Sequence, residues 1–122
     1  MTAYSTLTLV GNTVYGTPSG NYDGSSQDFF SDAVSAANYY GGQGSLQTIT
    51  YRLSGFVGII TMEATLNDEQ DSAPWFELAT FGDGTTPDSG IFSDSVVGNF
   101  TWIRARITEF TAGTIESITV AY

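Results

Sequence analysis

The residue types that could do chemistry in this chain are almost entirely carboxylates. The 122 residues contain no His and no Cys, so Ser-His catalysis, imidazole and thiolate metal sites and disulfides are excluded. Glu63 and Glu77 belong to consecutive predicted strands and could meet across a sheet. Carboxylates held ~5–9 Å apart hydrolyse glycosidic bonds, but carboxylates on a solvated sheet are ordinary and no pocket is indicated. We therefore expect no enzyme activity and no cofactor.

A second group of carboxylates lies in the segment Asn67-Asp68-Glu69-Gln70-Asp71. Calcium prefers several oxygen ligands, so Asp68, Glu69 and Asp71 are candidate metal ligands. The segment lacks the glycine and the closing glutamate of an EF-hand loop. A solvated turn between two strands is the favoured interpretation, and it involves no metal site.

The charge of the chain restricts its partners. Thirteen Asp and Glu residues stand against three cations, Arg52, Arg104 and Arg106, and the formal net charge is −10. Because nucleic-acid binding relies on Lys and Arg, we expect no nucleic-acid partner. The sequence shows no cationic leader and no long apolar segment, so we expect synthesis in the cytosol and no membrane partner.

Short stretches rich in Val, Ile, Thr and aromatic residues, separated by Gly, Asn and Asp, predict an all-β antiparallel fold. The predicted strands are Tyr4–Val10, Leu46–Leu53, Phe56–Leu66, Trp75–Ala79, Ile91–Val97, Phe100–Ile107 and Thr114–Ala121. Seven or eight such strands predict a single β-sandwich or jelly-roll domain over residues 1–122. Ser31–Tyr40 is the one candidate helix, with Ser31 as N-cap and Gly41 as the stop.

Alternation within two of these strands predicts where the core lies. In Phe56–Leu66 one face is wholly apolar and is expected to be buried: Phe56, Gly58, Ile60, Met62, Ala64 and Leu66. The opposite face turns polar from Thr61 onward and is expected to see water. In Phe100–Ile107, Ile103, Ala105 and Ile107 share one face, which we expect to pack with the Phe56–Leu66 stripe. The other face carries Phe100, Trp102, Arg104 and Arg106, where guanidinium groups would stack on aromatic rings and find carboxylates of adjacent strands.

Aromatic and edge residues provide the candidate protein interfaces. Tyr39-Tyr40-Gly41-Gly42-Gln43-Gly44 joins two tyrosine anchors to glycines that allow close approach. The first predicted strand lies near a terminus and lacks the Lys residues that protect sheet edges. Trp102 suits a subunit contact, core packing or sugar stacking. The candidate interface residues are Tyr4, Leu7, Leu9, Tyr39, Tyr40, Trp102, Arg104 and Arg106.

A set of motifs between Tyr39 and Tyr122 carries a family resemblance. They are Tyr39-Tyr40-Gly41, Leu46-Gln47-Thr48-Ile49, Phe56-x-Gly58-x-Ile60, Glu63-Ala64-Thr65-Leu66, Trp75-Phe76, Gly98-Asn99-Phe100-x-Trp102-Ile103-Arg104-Ala105 and Phe110-Thr111-x-Gly113-x-Ile115. Through them the chain resembles small β-sandwich virion structural proteins of marine tailed bacteriophages, especially those of cyanobacteria. The same stretch also resembles the closing half of galactose-binding-like jelly rolls, but no sugar or calcium site of that family aligns with numbered positions here.

The resemblance implies a non-enzymatic structural protein of a phage virion, and within the virion we favour a capsid decoration or cement protein on the head exterior. Its partners would be the major capsid protein or tail and neck proteins, together with further copies of itself in a homo-oligomer. Its location would be the virion, after synthesis in the host cytoplasm. Two alternatives stay open: a tail, neck or fibre component, and a carbohydrate-binding module that attaches the particle to host glycans.

Overall fold

The computed structural model describes residues 6–35, 46–66, 74–98 and 100–121. Its eight strands are β1 (Thr6–Val10), β2 (Thr13–Val14), β3 (Phe29–Phe30), β4 (Val34–Ser35), β5 (Leu46–Thr65), β6 (Phe76–Phe81), β7 (Asp88–Val97) and β8 (Trp102–Ala121). All of them belong to one hydrogen-bonded sheet with antiparallel pairing. The predicted all-β antiparallel class is confirmed. Within the described ranges, no helix is long and apolar enough to cross a membrane.

Two strands of twenty residues, β5 and β8, form the centre of the sheet and pair with each other along most of their length. The four short strands β1 to β4 follow one another along the free edge of β8. Strands β7 and β6 share the free edge of β5 in the same way. Each long strand was predicted as two separate strands, because Ser54-Gly55 and the segment 108–113 resemble breaks in the sequence.

A bend divides β5 into two halves. Irregularities in its pairing with β8 cluster between Arg52 and Ile59, and they shift the buried side chains from odd to even positions. At this bend a Cβ on Gly113 would collide with the Gly55 carbonyl, so the two backbones require glycine there. The ring of Tyr51 stacks on that of Phe81 with centroids 5.1 Å apart.

The Tyr51–Phe81 contact shows how sharp the bend is. Phe81 pairs with Ile60, nine residues beyond Tyr51, which is ~30 Å along a straight strand. The two halves of the sheet therefore face each other across a common core. The described strands form one bent sheet, and the division into two separate sheets of a sandwich stays a prediction.

The core occupies the inside of the bend. Its fully buried members include the predicted stripe Phe56, Ile60, Met62 and Ala64 and its predicted partners Ile103, Ala105 and Ile107, joined by Ile49, Tyr51, Phe110, Ile115, Ile118 and Val120. Leu66 does not belong to this stripe, because β5 ends at Thr65 and the Leu66 side chain is 62% exposed. An aromatic cluster closes the core at the bend, where Phe110 contacts Phe56 and Tyr22 at centroid distances of 5.5 and 5.2 Å.

Two further predictions are wrong. The outer face of the second half of β5 is covered, and Thr61, Glu63 and Thr65 are all buried. The candidate helix Ser31–Tyr40 begins as extended chain: the Ser31 amide donates to the Ala105 carbonyl, and β4 pairs with β8. The remainder of that candidate helix lies outside the described residues.

Candidate functional site

A buried glutamate marks the outer face of the second half of the sheet. Glu63 on β5 lies opposite Arg104 on β8 in the strand register, and its side chain accepts two hydrogen bonds. Arg104 Nε donates to Oε1 at 2.9 Å, and Arg106 Nη1 donates to Oε2 at 3.5 Å. A carboxylate that is 7% exposed tolerates burial only when it is paired in this way. The two arginines thus explain how Glu63 can be buried on a face that the sequence predicted to be exposed to water.

Two aromatic rings complete this closed face. The guanidinium of Arg104 lies between Phe30 and Trp75, with its carbon 4.3 Å and 4.1 Å from the two ring centroids. Cation–π contact on both faces holds the planar group in place. We call Phe30, Glu63, Trp75, Arg104 and Arg106 the arginine patch. The sequence prediction that guanidinium groups stack on aromatic rings and find carboxylates on adjacent strands is confirmed, although the rings come from β3 and from the residue before β6.

The register also pairs Glu63 with Glu77 on β6, as the sequence suggested. The Glu63 carboxylate is bound by both arginines of the patch, so its chemistry here is that of an ion pair. A cavity of about 90 Å³ is lined by Leu9, Asn21 and Asp32 among others, and one of about 240 Å³ lies beside Phe81, Asp83 and Asp88. Both are smaller than ordinary small-molecule pockets, and Glu63 lines neither.

The outer face of the first half of the sheet has a different composition. Since Leu7, Ile49, Tyr51, Ile118 and Val120 point inward, their neighbours along the same strands point outward together. We call this outward set the hydroxyl face. Its members are Thr6 and Thr8 of β1, Val14 of β2, Leu46, Thr48, Thr50, Arg52 and Ser54 of β5, Ile91, Ser93, Ser95 and Val97 of β7, and Thr114, Glu116, Ser117, Thr119 and Ala121 of β8.

Register arranges these side chains in rows across four strands. One row runs Thr6, Ala121, Thr48, Ser95, and the next runs Thr8, Thr119, Thr50, Ser93. Neighbouring hydroxyls contact one another, as Thr48 Oγ1 and Ser95 Oγ do at 3.2 Å. The rows therefore present a continuous surface of methyl and hydroxyl groups.

The hydroxyl face contains two charged residues, Arg52 of β5 and Glu116 of β8, and Glu116 lies next to Ser117, the partner of Arg52 in the register. The nearest Asp of β7, Asp94, lies on the inner side and accepts a hydrogen bond from the Tyr51 hydroxyl at 3.1 Å. Burial, and then the negative charge of Asp94, raise the pKa of Tyr51 well above its ordinary value. Exposed apolar side chains stand at both ends of the face: Leu46 and Val97 (71% exposed) at one end, Val14 and Ile91 at the other. Apolar groups left in water on a face with few charges are typical of a contact surface.

The structure places the sequence-predicted interface residues unevenly. Tyr4, Tyr39 and Tyr40 lie outside the described residues. Leu9 is buried in the core at 8% exposure, so its assignment to an interface is corrected; it points inward on β1. Leu7 is half-buried and packs against the core opposite Val120. The outward residues of this strand are Thr6 and Thr8.

The other predicted site residues fall into two groups. Trp102, Arg104 and Arg106 are half-buried on the outer face of the second half, and the two arginines belong to the arginine patch. The candidate metal ligands Asp68, Glu69 and Asp71 lie outside the described residues. Over the ranges that are described, no three acidic side chains come together as a metal site would require.

Two exposed aspartates have a structural role in turns. Asp23 accepts hydrogen bonds from the amides of Ser25 and Ser26 at 2.9 and 2.7 Å. Asp83 binds the amides of Thr85 and Thr86 in the same way. These backbone hydrogen bonds stabilise the charged form and lower the pKa of each carboxyl from 3.8 to about 2.

Comparison with protein-family models and with curated proteins finds no match for this chain. The function is therefore argued from the residues and surfaces described above.

Proposed function

We propose that the protein is a non-enzymatic structural component of a tailed-phage virion, and that it acts as a decoration protein on the exterior of the head. The resemblance carried by the motifs between Tyr39 and Tyr122 supports the virion. The observation that carries an assembly role is the hydroxyl face, a sheet surface made mostly of Thr, Ser and apolar side chains in a chain with net charge −10. The partner that this proposal names is a protein of the capsid lattice.

The composition of the hydroxyl face suits docking onto another protein. Covering a carboxylate without a cationic partner costs several kcal/mol, and the one carboxylate of this face, Glu116, lies beside Ser117, which pairs with Arg52. Its hydroxyls both donate and accept hydrogen bonds, so they adapt to the polar groups of a partner. Described carboxylates elsewhere on the surface, such as Asp23, Asp83 and Glu109, stay in water and keep the outside of the particle hydrated.

The size of the face fits the same role. Four strands at ~4.8 Å spacing and the nine residues of β5 from Leu46 to Ser54 cover about 20 Å by 30 Å, or roughly 600 Å². That is close to one partner's share of a small specific interface. A protein bound through such a face to an assembled lattice, and not to its free subunits, stabilises the lattice by mass action.

Particle incorporation tests the proposal. The protein would be mixed with phage heads that lack it, and copies per particle would be counted for the wild type, Thr50→Glu and the matched control Thr111→Glu. Thr50 lies at the centre of the hydroxyl face, whereas Thr111 is exposed on β8 outside it. We expect hundreds of copies for the wild type and the control, and a loss of incorporation for Thr50→Glu, with all three folded by circular dichroism.

Two outcomes would count against this function. If Thr50→Glu binds phage heads at full occupancy, the hydroxyl face is not the surface that contacts the capsid. A handful of wild-type copies per particle would replace the head assignment with the tail, neck or fibre alternative.

The carbohydrate-binding alternative would use the arginine patch, because Phe30 is 45% exposed there. Phe30 contacts Arg104 with one ring face and keeps exposed ring surface on which a sugar could stack. A glycan array distinguishes this function: binding that is lost in Phe30→Ala and kept in Thr50→Glu would favour it over the structural role.

A further inference from the structure

We infer that β7 of one copy of this chain pairs antiparallel with β7 of a second copy, so that two bent sheets join edge to edge in a homodimer. The contact is made by backbone groups along the side of β7. It leaves the outward side chains of the hydroxyl face uncovered for the partner that the proposed function names. Within the described ranges, β7 pairs with β5 alone, and no other strand pairs with its opposite edge. The inference goes beyond the proposed function and does not depend on it.

The two edges of the sheet differ in how they are protected. On the β8 side, the edge is divided among the four short strands β1 to β4, with loops between them. On the β5 side, β7 runs for ten residues, and its register with β5 is regular from Gly90 to Val97. This stretch contains no Pro and no bulge, and the whole chain contains no Lys. Since these are the usual devices that block pairing at an edge, β7 is the described edge that is open to another strand.

The direction of the backbone groups in β7 follows from contacts elsewhere in the sheet. In a strand, residues that point to one face direct N–H and C=O to one edge, and their neighbours direct them to the other edge. The carbonyl of Gly58, an inward residue of β5, accepts from the Gly84 amide on the β6–β7 side. The carbonyl of the outward Thr65 accepts from the Thr101 amide on the β8 side. Because the chirality of L-residues fixes which edge goes with which face, the inward residues of β5 bond toward β7 along the whole strand.

The pairs between β5 and β7 divide accordingly. The inward residue Ile49 of β5 forms a hydrogen-bonded pair with the inward Asp94 of β7. The outward pairs are then non-hydrogen-bonded, with opposite side chains closer together, which agrees with the 3.2 Å contact between Thr48 Oγ1 and Ser95 Oγ. The outward residues of β7 therefore direct their amides and carbonyls to the free edge. They are all exposed: Ile91, Ser93, Ser95 and Val97.

This free edge is complementary to a copy of itself. In an antiparallel pair related by a two-fold axis perpendicular to the sheet, both outer faces lie on the same side. An axis at Ser93 places Ser93 opposite its own copy, and it places Ile91 of each copy opposite Ser95 of the other. Each of these pairs exchanges two backbone hydrogen bonds, about six in total. A second copy thus satisfies the exposed backbone groups of this edge.

The charged side chain in the regular part of β7 selects this register. Asp94 points inward, and its carboxylate accepts a hydrogen bond from the Tyr51 hydroxyl at 3.1 Å within the same copy. An axis at Asp94 would place two carboxylates directly opposite each other, which is destabilising. The axis at Ser93 instead places Asp94 opposite Phe92 of the second copy. The two charged residues of the hydroxyl face lie on β5 and β8 and not on β7.

The net charge sets the conditions under which the dimer forms. Two copies with net charge −10 repel each other, whereas the backbone groups that form the contact are uncharged. Salt screens the repulsion, since the Debye length falls from ~30 Å at 0.01 M to ~8 Å at 0.15 M ionic strength. We therefore expect a weak association that becomes stronger as the salt concentration rises.

Sedimentation equilibrium from about 10 to 500 μM protein, at about 0.01 and 0.15 M NaCl, tests the dimer. We expect the mass to rise from 13.0 kDa toward twice that value with concentration, and the dissociation constant to fall by about tenfold or more at the higher salt. Ser93→Pro removes an amide that faces the free edge and no hydrogen bond to β5, so this variant should fold and stay monomeric. The matched control Thr50→Gln alters the centre of the hydroxyl face and should dimerise like the wild type. A wild type that is monomeric under all these conditions would overturn the inference, as would a Ser93→Pro variant that dimerises equally well.

Amide hydrogen exchange of the wild type covers the case in which Ser93→Pro fails to fold. At low protein concentration we expect fast exchange at the Ser93 and Ser95 amides and slow exchange at those of Phe92 and Asp94, which bond to β5. A higher concentration should slow exchange at Ser93 and Ser95. Slow exchange at these two amides at every concentration would show that another part of the chain covers the edge, and it would contradict the inference.

Failure of the dimer is separable from failure of the proposed function. A wild type that stays monomeric but joins phage heads leaves the virion contact standing and removes only the dimer. A dimeric protein whose Thr50→Glu variant still joins heads at full occupancy leaves the β7 contact standing and removes the hydroxyl face from the proposed function.

Discussion

The arginine patch and the hydroxyl face are built on the same two strands, yet they solve the problem of a polar sheet surface in opposite ways. In the arginine patch, a nearly buried Glu63 is paired with Arg104 and covered by Trp75 and Phe30. The carboxylate of Glu63 finds both of its partners within the chain, although Arg106 Nε is buried without a hydrogen-bond partner in the described part of the chain. On the hydroxyl face no charged side chain is buried, and apolar side chains such as Val97 are left in water. The buried carboxylate of the first surface is paired within the chain, and the second surface is suited to an external partner.

The largest expected change in the free energy of unfolding comes from a substitution in the core that lies beneath both surfaces. Ile60 is fully buried between β8 and β6, and Ile60→Ala removes packing that no neighbour can replace. We expect a loss of about 2–5 kcal/mol in the free energy of unfolding. Denaturant titration measures it, and an unresolved change in the midpoint would show that the second half does not depend on this core.

A pair of identical substitutions compares the two outer faces directly. Arg104→Met leaves Glu63 buried without its closest partner, and we expect a loss of about 2–4 kcal/mol, less than for a wholly buried pair because both arginines are partly exposed. Arg52→Met on the hydroxyl face should change the free energy of unfolding by less than about 0.5 kcal/mol, because Arg52 is exposed. Equal losses in urea denaturation would contradict the distinction between the faces.

The smallest expected effect is on the pH dependence of stability, and it comes from a turn outside both outer faces. Asp83 has a pKa of about 2 in the folded protein, below its ordinary value of 3.8, so the unfolded chain takes up its proton first. The contribution of this turn to stability is present above the unfolded pKa and is lost as the pH falls toward 2. We expect Asp83→Asn to lose less stability than the wild type between pH 5 and pH 2, measured by thermal unfolding. Identical pH profiles would show that the turn contributes nothing.

The sequence predicted the part of the fold that alternation encodes. The stripe from Phe56 to Ala64 and its partners Ile103, Ala105 and Ile107 are buried as expected, because period-two patterns fix which side chains share a face. The same pattern could not locate the end of β5, so Leu66 was placed in the core. It also could not predict the cover over Glu63, since Phe30 lies thirty-three residues before it in the chain.

The candidate surfaces were predictable to different degrees. Pairing of the arginines with a carboxylate followed from residue type, although the identity of the rings did not. The hydroxyl face was missed, because Thr and Ser at alternate positions carry no obvious chemistry. The signal was present in Thr6-Leu7-Thr8 and Thr48-Ile49-Thr50, where outward hydroxyls alternate with inward apolar residues.

The position of β8 in the sheet has a consequence for how the protein is made. Strands β1 to β4 all pair with β8, and Thr6 meets Ala121 across more than a hundred residues of chain. None of these strands has its hydrogen-bonding neighbour until residues 102–121 have left the ribosome. Such distant pairing makes folding slow and leaves apolar strands uncovered in the nascent chain. The protein therefore depends on finishing synthesis before it folds, and truncated chains that lack β8 would be substrates for chaperones and proteases.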